Sequence, residues 1–270
     1  MALYPRIAQT GQTGAERADM PSGSCIASRL SRYAKLTEPE CAFVRRMEET
    51  EESVKAGEVL VNTGEPAERL FILKRGWALA RKLCSKGRRQ TLRVYLPGEV
   101  VGLPSLGISR AAHEVVMVTE GVVCPFPRHH LQEIFEDTPR LAALLMTISS
   151  LDQVSLKDRL AMLGVGTARE RMAHFLLDIH SRLLLSNPDM GRRFKLPFRQ
   201  VDIGECLGLT KVYVNRLLKQ MTEEGLIAID RPYVKLLDLD RLRRIADYDN
   251  RYEELDLSWF PAPEVRGATG

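Results

Sequence analysis

The chain has 270 residues and a mass of 30.4 kDa, a length that favours two domains of ~100–150 residues each. Its 44% hydrophobic and 27% charged residues are typical of a globular protein and exclude a disordered, collagen-like or disulfide-rich small scaffold. The net charge of +4 is too modest to indicate a nucleic-acid partner by itself. No apolar run approaches the ~20 residues of a membrane span, and none resembles a signal peptide, so we expect a soluble, cytoplasmic protein with no membrane partner.

The cysteines indicate a reducing compartment. There are five, an odd number, and they are widely spaced along the chain. Zinc and iron–sulfur sites usually include two thiolates close together in sequence, and no Cys-x-x-Cys pair occurs here. We therefore predict neither a bound metal nor another cofactor.

The first half of the chain has the sequence pattern of a β domain. Residues 1–25 mix Gly, Pro, Ser and Thr without apolar periodicity and predict a flexible N-terminal arm. Residues 26–138 begin with short helical pieces and continue as short apolar stretches between glycine-containing turns. The stretch from Thr91 to Leu96 alternates with the period of two of a half-buried strand. Many short strands at regular spacing predict a jelly roll or sandwich.

A long apolar periodicity then predicts a single helix over residues 139–165, with Pro139 in its first turn. A helix of this length between two domains either packs against its own sheet or pairs with a copy of itself, and we favour self-pairing. The predicted dimer contacts, which lie on its apolar stripe, are Leu144, Ile148 and Leu151.

The second domain, residues 166–247, begins at a glycine joint whose left-handed backbone we expect to end the long helix. Within it, residues 200–219 have the spacing of a helix-turn-helix. Gly204 stands where two crossing helices come close, and Gly208 stands in the turn between them. The places that this motif buries are apolar: Ile203, Leu207, Leu209, Val214 and Leu217. Residues 248–270 are left as a C-terminal tail.

The second helix of this motif, capped by Thr210, has an apolar face that must point inward and a polar face opposite. The polar face offers groups that pair with guanine, adenine and phosphate, so we predict that it binds double-stranded DNA. A β-hairpin with Arg231 in its turn follows as a wing. The predicted DNA-binding residues are Arg199, Gln200, Lys211, Val212, Tyr213, Asn215, Arg216, Lys219 and Arg231. The alternative is that this basic face is only solvated.

The order of jelly roll, long helix, glycine joint and winged helix-turn-helix resembles the CRP/FNR family of bacterial transcription regulators. The resemblance covers residues 53–247. It rests on Gly57-Glu58 and Gly64-Glu65 in the first domain, and on Asp202-Ile203-Gly204, Leu207-Gly208-Leu209-Thr210 and Asn215-Arg216 in the second.

This resemblance implies an α+β fold: a cyclic-nucleotide-binding-like jelly-roll sensor domain over 26–138, a dimerisation helix over 139–165 and a C-terminal winged helix-turn-helix. It also implies a homodimer that binds a palindromic operator near promoters, with half-sites ~34–36 Å apart. RNA polymerase is a further partner that the resemblance implies.

The segment that holds a cyclic nucleotide in many relatives departs from their pattern. Leu103 stands where those relatives have the glutamate that binds the ribose, and the place of their phosphate-binding arginine falls near Ala111. Burying a phosphate without a charged partner costs on the order of several kcal/mol, so we predict that cyclic AMP is not the ligand. A small-molecule effector, if one binds, is unknown. The candidates for its pocket are Gly102, Leu103, Ser105, Arg110 and His113, of which Arg110 is the one that could replace the missing arginine.

The recognition segment departs from the common pattern as well. Residues 212–216 look like a subgroup with a Val-x-Val-Asn-Arg recognition helix. Its operator should differ from the cyclic-AMP type, because Val212 cannot accept a hydrogen bond from cytosine and offers only a methyl contact. Cys206 lies inside the motif between positions that are buried and apolar, and it is the one redox candidate. The simpler interpretation is that it is a small buried side chain that fills space in the core.

Other interpretations stay open. The alternative is a cyclic-nucleotide- or redox-responsive regulator, although Cys25 and Cys41 do not reproduce the cysteine cluster of oxygen-sensing relatives. Another is a regulator without a signal, whose barrel serves only dimerisation or polymerase contact. The remote alternative is a cupin-like metalloenzyme, which needs converging histidines. We expect His129 and His130 to point away from each other, and we predict no enzymatic activity and no catalytic residue.

Overall fold

The computed structural model describes residues 24–253 and 255–261. It opens with two short helices, α1 (Cys25–Leu30) and α2 (Glu38–Met47). Ser24 caps α1 by accepting a hydrogen bond from the Ala27 amide (3.0 Å). The predicted arm therefore lies almost wholly outside the described residues, and its last residue, Cys25, already belongs to α1.

The predicted jelly roll follows. Its strands are β1 (Glu52–Val54), β2 (Val59–Val61), β3 (Arg69–Arg75), β4 (Ala78–Leu83), β5 (Arg89–Tyr95), β6 (Glu99–Val101), β7 (Glu114–Met117) and β8 (Gly121–Pro127). One antiparallel sheet has the order β1-β8-β3-β6, and the facing antiparallel sheet has the order β2-β7-β4-β5. Inward side chains such as Phe71, Leu73 and Tyr95 form the core between the two sheets.

Each sheet also buries part of its outer face. Behind the first sheet, Leu70 and Ile72 pack with the two N-terminal helices. Behind the second sheet, Trp77 and Val94 share an apolar core with the C-terminal domain. The ring of Trp77 lies edge-on to that of Phe198, with 5.3 Å between the ring centroids. The two domains are therefore packed directly on each other.

Two helices connect the domains: α3 (His130–Asp137) and α4 (Pro139–Val165). The predicted helix over 139–165 is confirmed. Gly166 ends α4 with φ of −71°, so the prediction of left-handed backbone there was wrong. Glycine is needed for a close approach instead, because a Cβ on Gly166 would lie 2.7 Å from the Met162 carbonyl oxygen. Although α4 has 27 residues, neither it nor any other helix of the described ranges is long and apolar enough to cross a membrane.

The C-terminal domain is a winged helix-turn-helix. Its elements are α5 (Ala168–Ser186), β9 (Arg193–Lys195), α6 (Gln200–Leu207), α7 (Lys211–Glu223), β10 (Ile227–Asp230), β11 (Tyr233–Leu236) and α8 (Leu239–Ala246). Thr167 caps α5 and forms a capping box with Glu170. The short strand β9 joins the wing hairpin in a sheet of order β10-β11-β9.

The chain after α8 returns to the N-terminal half of the molecule. Tyr252 is buried in the same apolar core as α1, α2 and the beginning of α4, and Leu255 and Leu257 pack against that core. Arg140 of α4 donates through Nε to the carbonyl oxygen of Pro261 (2.9 Å). We call residues 248–253 and 255–261 the C-terminal strap, because the predicted tail is packed across the molecule over its described part.

Candidate nucleic-acid interface and sensor cavity

Helices α6 and α7 meet where the sequence places its two glycines. A Cβ on Gly204 would lie 2.4 Å from the carbonyl oxygen of Leu209, so only glycine admits the turn this closely. Gly208 ends α6 in left-handed backbone with φ of 67°. Thr210 caps α7 by accepting a hydrogen bond from the Tyr213 amide (3.2 Å). These contacts set the crossing of the two helices.

Helix α7 has two faces of opposite character. The inner face is buried in the domain and consists of Val214, Leu217, Leu218 and Met221. The outer face is exposed and carries the predicted residues Lys211, Val212, Tyr213, Asn215, Arg216 and Lys219. Val212 is 79% exposed, the largest value for an apolar side chain on this helix. The periodicity of the sequence correctly separated the two faces.

Two contacts order the polar groups of the outer face. Gln200 donates through Nε2 to Oδ1 of Asn215 (2.7 Å). The Asn215 oxygen keeps a second lone pair and its Nδ2 remains a donor, so the amide can still pair with the donor–acceptor edge of adenine. The guanidinium of Arg216 lies over the Tyr213 ring, 4.5 Å from its centroid. Gln200 and Tyr213 therefore position the two side chains best suited to read bases.

Cationic side chains flank this face. Arg199 donates to Asp202 through Nε (3.0 Å) and Nη2 (2.9 Å) at the beginning of α6. Burial acts to raise the pKa of Asp202, but the bonds from Arg199 outweigh it and hold the pKa below its ordinary value. Lys219 lies 3.6 Å from Glu223. Three further predicted residues have no carboxylate partner within the described ranges: Lys211, Arg216 and Arg231.

A cavity of about 670 Å³ lies between the barrel, α4, α5 and α6. Four of the predicted effector-pocket residues line it: Gly102, Leu103, Ser105 and His113. Arg110 does not. It is exposed, and its Nη1 donates to the carbonyl oxygen of Gly64 (2.8 Å). The structure corrects this assignment, because Arg110 does not reach the cavity and cannot replace the missing phosphate ligand there.

The predicted pocket residues that line the cavity carry little charge. Burial and the nearby Lys82 lower the pKa of His113, so its imidazole is uncharged at neutral pH and offers one donor and one acceptor. Leu103 presents an apolar side chain, and Leu92 and Val115 line the same cavity. This part of the cavity suits a ligand with apolar surface and neutral hydrogen-bonding groups.

Arginines also line the cavity, but they are already bound within the protein. Arg159 donates to the carbonyl oxygens of Leu92 (2.7 Å) and Cys206 (3.0 Å). Arg171 donates to the carbonyl oxygen of Leu207 (3.2 Å). These bonds fix the two guanidinium groups at the wall of the cavity.

Glu99 is the centre of a buried ionic network that the sequence analysis missed. Arg182 of α5 lies 2.7 Å from its carboxylate, Arg29 of α1 lies 3.1 Å away, and Arg93 of β5 lies 3.2 Å away. Burial disfavours the carboxylate, but the surrounding guanidinium groups outweigh it and lower the pKa of Glu99 to about 2. Arg93 also lies 2.9 Å from Asp152 of α4. The partners are far apart in sequence, so no local pattern marked them.

Cys206 has the environment of a packing residue. Its side chain is fully buried in the core that joins the domains. Burial raises its pKa to about 11, so the thiol is protonated at neutral pH. The structure therefore favours a packing role for Cys206 over a role as a redox switch.

The predicted dimer stripe of α4 faces mostly inward. Leu144 has no exposed surface, and Ile148 and Leu151 pack against the same core. The N-terminal helices and the C-terminal strap cover this side of α4, which corrects the assignment of Leu144 to a partner contact. Other apolar residues of α4 are exposed: Met146 by 58%, Leu156 by 55% and Leu160 by 68%.

The expectation that His129 and His130 point away from each other was wrong. Their ring centroids lie 4.8 Å apart. One ligand atom from each, together with one from Glu133, fall within 4.8 Å of one another. Glu133 is already bound to Arg46, with 2.5 Å between Nη2 and Oε2. None of the three residues lines the cavity between the domains, so the arrangement is not that of a cupin centre.

Comparison with known proteins matches both domains. Residues 51–138 match the cyclic nucleotide-binding domain family, and residues 170–245 match the Crp-like helix-turn-helix domain family. The chain is 25% identical over 224 residues to the fumarate and nitrate reduction regulatory protein of Escherichia coli, covering 83% of this chain and 89% of that protein.

Two solved structures are similar along most of their length. FixK2 from Bradyrhizobium japonicum has a TM-score of 0.66 and 29% identity, covering 73% of this chain and 96% of that one. A CRP-family transcriptional regulator from Thermus thermophilus has a TM-score of 0.60 and 25% identity, covering 74% and 99%.

A jelly roll beside a cavity, joined by one long helix to a winged helix-turn-helix with an exposed basic face, defines a two-domain regulator of transcription. The chain is a CRP/FNR-type transcriptional regulator with a cyclic nucleotide-binding domain and a helix-turn-helix DNA-binding domain. The fold and the function class predicted from the sequence are confirmed.

Proposed function

We propose that this regulator binds a palindromic operator in double-stranded DNA as a homodimer, with α7 in the major groove of each half-site. The observation that carries the proposal is the exposed face of α7, on which Asn215 and Arg216 are held in place by Gln200 and Tyr213. The apolar face of the helix is buried, so only this polar face is free to meet DNA. A two-fold dimer then places its half-sites ~34–36 Å apart.

The residues divide into those that read bases and those that hold the backbone. Asn215 suits adenine, Arg216 suits guanine, and Val212 offers a methyl contact to thymine. The charges at Lys211, Lys219, Arg199 and Arg231 suit phosphate oxygens, which fix register without reading sequence. The operator should therefore follow the Val-x-Val-Asn-Arg recognition helix rather than the cyclic-AMP type.

The dimer forms, in our proposal, through the exposed side of α4. Met146, Gln153 and Leu160 recur every seven residues, and Ser149, Leu156 and Leu163 form a second such series between them. This alternation of three and four is the spacing of a coiled-coil seam. Within the described residues Leu156 is 55% exposed and Leu160 is 68% exposed, so both present apolar surface there. The seam therefore lies beside the stripe that the sequence analysis selected, on the neighbouring face of the helix.

A signal, in this proposal, acts through the cavity between the domains. Its walls come from the barrel and from the C-terminal domain, so a ligand there favours one orientation of the DNA-binding domain over others. Leu103 and the outward position of Arg110 argue against cyclic AMP. By its family we also assign a cytoplasmic location, contact with RNA polymerase and no enzymatic activity of its own.

The experiment is selection of binding sites from a random duplex library by the purified protein, with and without reductant and with and without cyclic AMP. We expect one palindrome in every condition. Selection of no palindrome would overturn the proposal. A site recovered only with cyclic AMP would overturn the argument about the pocket, and dependence on reductant would return Cys206 to the role of a switch.

Replacement Arg216→Ala should relax base preference at one position of each half-site by about 1–3 kcal/mol while the other positions keep their preference. The reason is that a guanidinium paired to guanine discriminates at that base only. Binding of the variant to a library of single-substitution operators measures this, with Lys219→Ala as the control that should weaken all sequences alike. A uniform loss for Arg216→Ala would make it a phosphate contact instead.

A further inference from the structure

The hairpin of β4 and β5 carries a dense positive charge next to the DNA-binding domain. No acidic residue occurs in the sequence between Glu68 and Glu99. At the tip of the hairpin, Lys82, Arg88 and Arg89 are exposed, and within the described ranges none of them pairs with a carboxylate. A compact group of unpaired cations of this kind attracts a polyanion.

The stem of this hairpin is attached to α6, the first helix of the DNA-binding motif. Arg81 lies 3.6 Å from the carboxylate of Asp202 and 3.9 Å from that of Glu205. Gln90 donates through Nε2 to the carbonyl oxygen of Glu205 (2.8 Å). Arg89 directly precedes Gln90, so the cationic tip begins one residue, ~3.3 Å of strand, beyond a direct contact with α6.

The turn of the hairpin is ordered by its own bonds. The Cys84 amide donates to the carbonyl oxygen of Arg88 (2.7 Å), and Leu83 pairs with Arg89 across the hairpin. The tip therefore presents its cations beside a short 3₁₀ helix, Ser85–Gly87, held by the stem. Because the backbone of the turn is already ordered, the hairpin loses less freedom when its tip meets a phosphate.

We propose that the β4–β5 tip, with Lys82, Arg88 and Arg89, binds the phosphate backbone of duplex DNA flanking the operator half-site. This inference rests on the proposed binding of α7 to the operator. The stem contacts α6, which packs on α7, so the proposal requires that DNA bound to α7 extend its flanking backbone to the tip. The cations offer no pattern that reads bases, so the contact adds affinity without sequence preference.

The alternative occupant of the tip is a protein. Leu83 is 70% exposed there, and an apolar residue among cations also suits an acidic protein surface such as one on RNA polymerase. The number of cations, the absence of acidic residues and the attachment to the DNA-binding motif favour DNA. The experiment separates the two.

The test compares the selected palindrome on a duplex that ends at the site with the same palindrome extended by about one helical turn on each side. Affinities of the full chain are measured by fluorescence anisotropy over a range of salt. The wild type should bind the extended duplex more tightly. The triple variant Lys82→Ala, Arg88→Ala, Arg89→Ala should lose most of this gain, keep its affinity for the short duplex, and show a salt slope lower by ~0.9 for each phosphate contact removed.

The matched control removes three exposed cations from the N-terminal half: Arg32→Ala, Lys35→Ala, Lys55→Ala. It changes the net charge equally and should keep the gain from the flanks. Equal binding of both duplexes by the wild type, or an unchanged gain in the tip variant, would overturn the inference while binding to the short duplex still supports the operator proposal. A tip variant that binds both duplexes normally but loses transcription with RNA polymerase would assign the tip to that protein, again overturning it. Failure of the wild type to bind either duplex would overturn both proposals.

Discussion

Helices α7 and α4 both carry apolar residues at helical spacing, yet they meet the rest of the molecule differently. On α7 the apolar residues at helical spacing are buried in one face, and the outer face is polar apart from Val212 and Tyr213. On α4 the apolar residues occupy two faces. Leu141 and Leu144 are buried in the protomer, whereas Leu156 and Leu160 are exposed. A helix with one apolar face leaves a polar surface for DNA, and a helix with two leaves an apolar surface for another subunit.

The largest effect should come from breaking the outer face of α4. In the double variant Leu156→Glu, Leu160→Glu, four carboxylates replace four leucines across a two-fold seam. Burying a leucine is worth ~1.5–3 kcal/mol, so the loss is ~6 kcal/mol or more before charge repulsion is added. We expect a monomer by sedimentation velocity, with DNA affinity reduced to that of a single half-site.

The exposed polar residue Lys157, on the same helix, provides the control, because Lys157→Glu changes charge without removing apolar surface. It should weaken the dimer far less. If the double variant sedimented as a dimer and bound DNA like the wild type, the dimer interface would lie elsewhere. The exposed apolar face of α4 would then not be a surface for another subunit.

The next effect concerns the ionic network that anchors the inner side of α4 through Arg93 and Asp152. At neutral pH, Glu99→Gln leaves buried guanidinium groups without their carboxylate, which costs about 3–5 kcal/mol of unfolding free energy. The folded pKa of Glu99 is lowered, from 4.5 to about 2, so its stabilisation is present above the ordinary pKa and is lost as pH falls through this window. Urea unfolding at pH 7 and at about pH 3 should therefore show the gap between wild type and variant narrowing with acid. If the difference in unfolding free energy between wild type and variant did not change with pH, the stabilisation would not come from the charge of the Glu99 carboxylate.

A smaller and more variable effect is expected at Leu144, on the inner face. Leu144→Ala removes a side chain with no exposed surface and should lower the free energy of unfolding by about 2–5 kcal/mol. The dimer should survive under folding conditions, because the outer face is unchanged. Chemical denaturation together with sedimentation separates the two properties. Loss of the dimer at concentrations where the variant is folded would restore Leu144 to the seam.

The smallest effect should be at Cys206, next to α7. Its pKa is raised to about 11 by burial, and iodoacetamide reacts with thiolates, so labelling at pH 7 should be slow until the protein unfolds. Cys84, exposed on the β4–β5 hairpin, serves as the control within the same chain and should react first. Mass spectrometry of partially labelled protein reports the order. Early labelling of Cys206, with loss of DNA binding, would make it a switch.

The DNA-binding motif was readable from the sequence because its determinants are local. Gly204 and Gly208 are four residues apart, and the clash that excludes a side chain at Gly204 is with Leu209, five residues on. The same holds for the cap at Thr210 and for the alternation in β5. Such features depend on backbone geometry within one or two turns, which composition and spacing describe well.

The pocket was only partly readable. Gly102, Leu103, Ser105 and His113 all line the cavity, the first three from the segment that directly follows β6 and His113 from the residue before β7. Arg110 was not, since the side on which its guanidinium lies depends on the carbonyl of Gly64, far away in sequence. Arginines of α4 and α5 line the cavity together with Arg93 of β5, and no sequence pattern joined the two helices to the barrel.

By itself, the sequence determined the jelly roll, the long helix, the winged helix-turn-helix and the face of α7 that stays polar, because each follows from periodicity and turn chemistry over short distances. Only the tertiary structure decided which face of α4 is free, that the C-terminal strap covers the other, and that Glu99 gathers three arginines. Those outcomes depend on burial and charge pairing between segments that are remote in the chain. Because the stabilising contact needs both segments, neither segment alone carries a sequence pattern that predicts it.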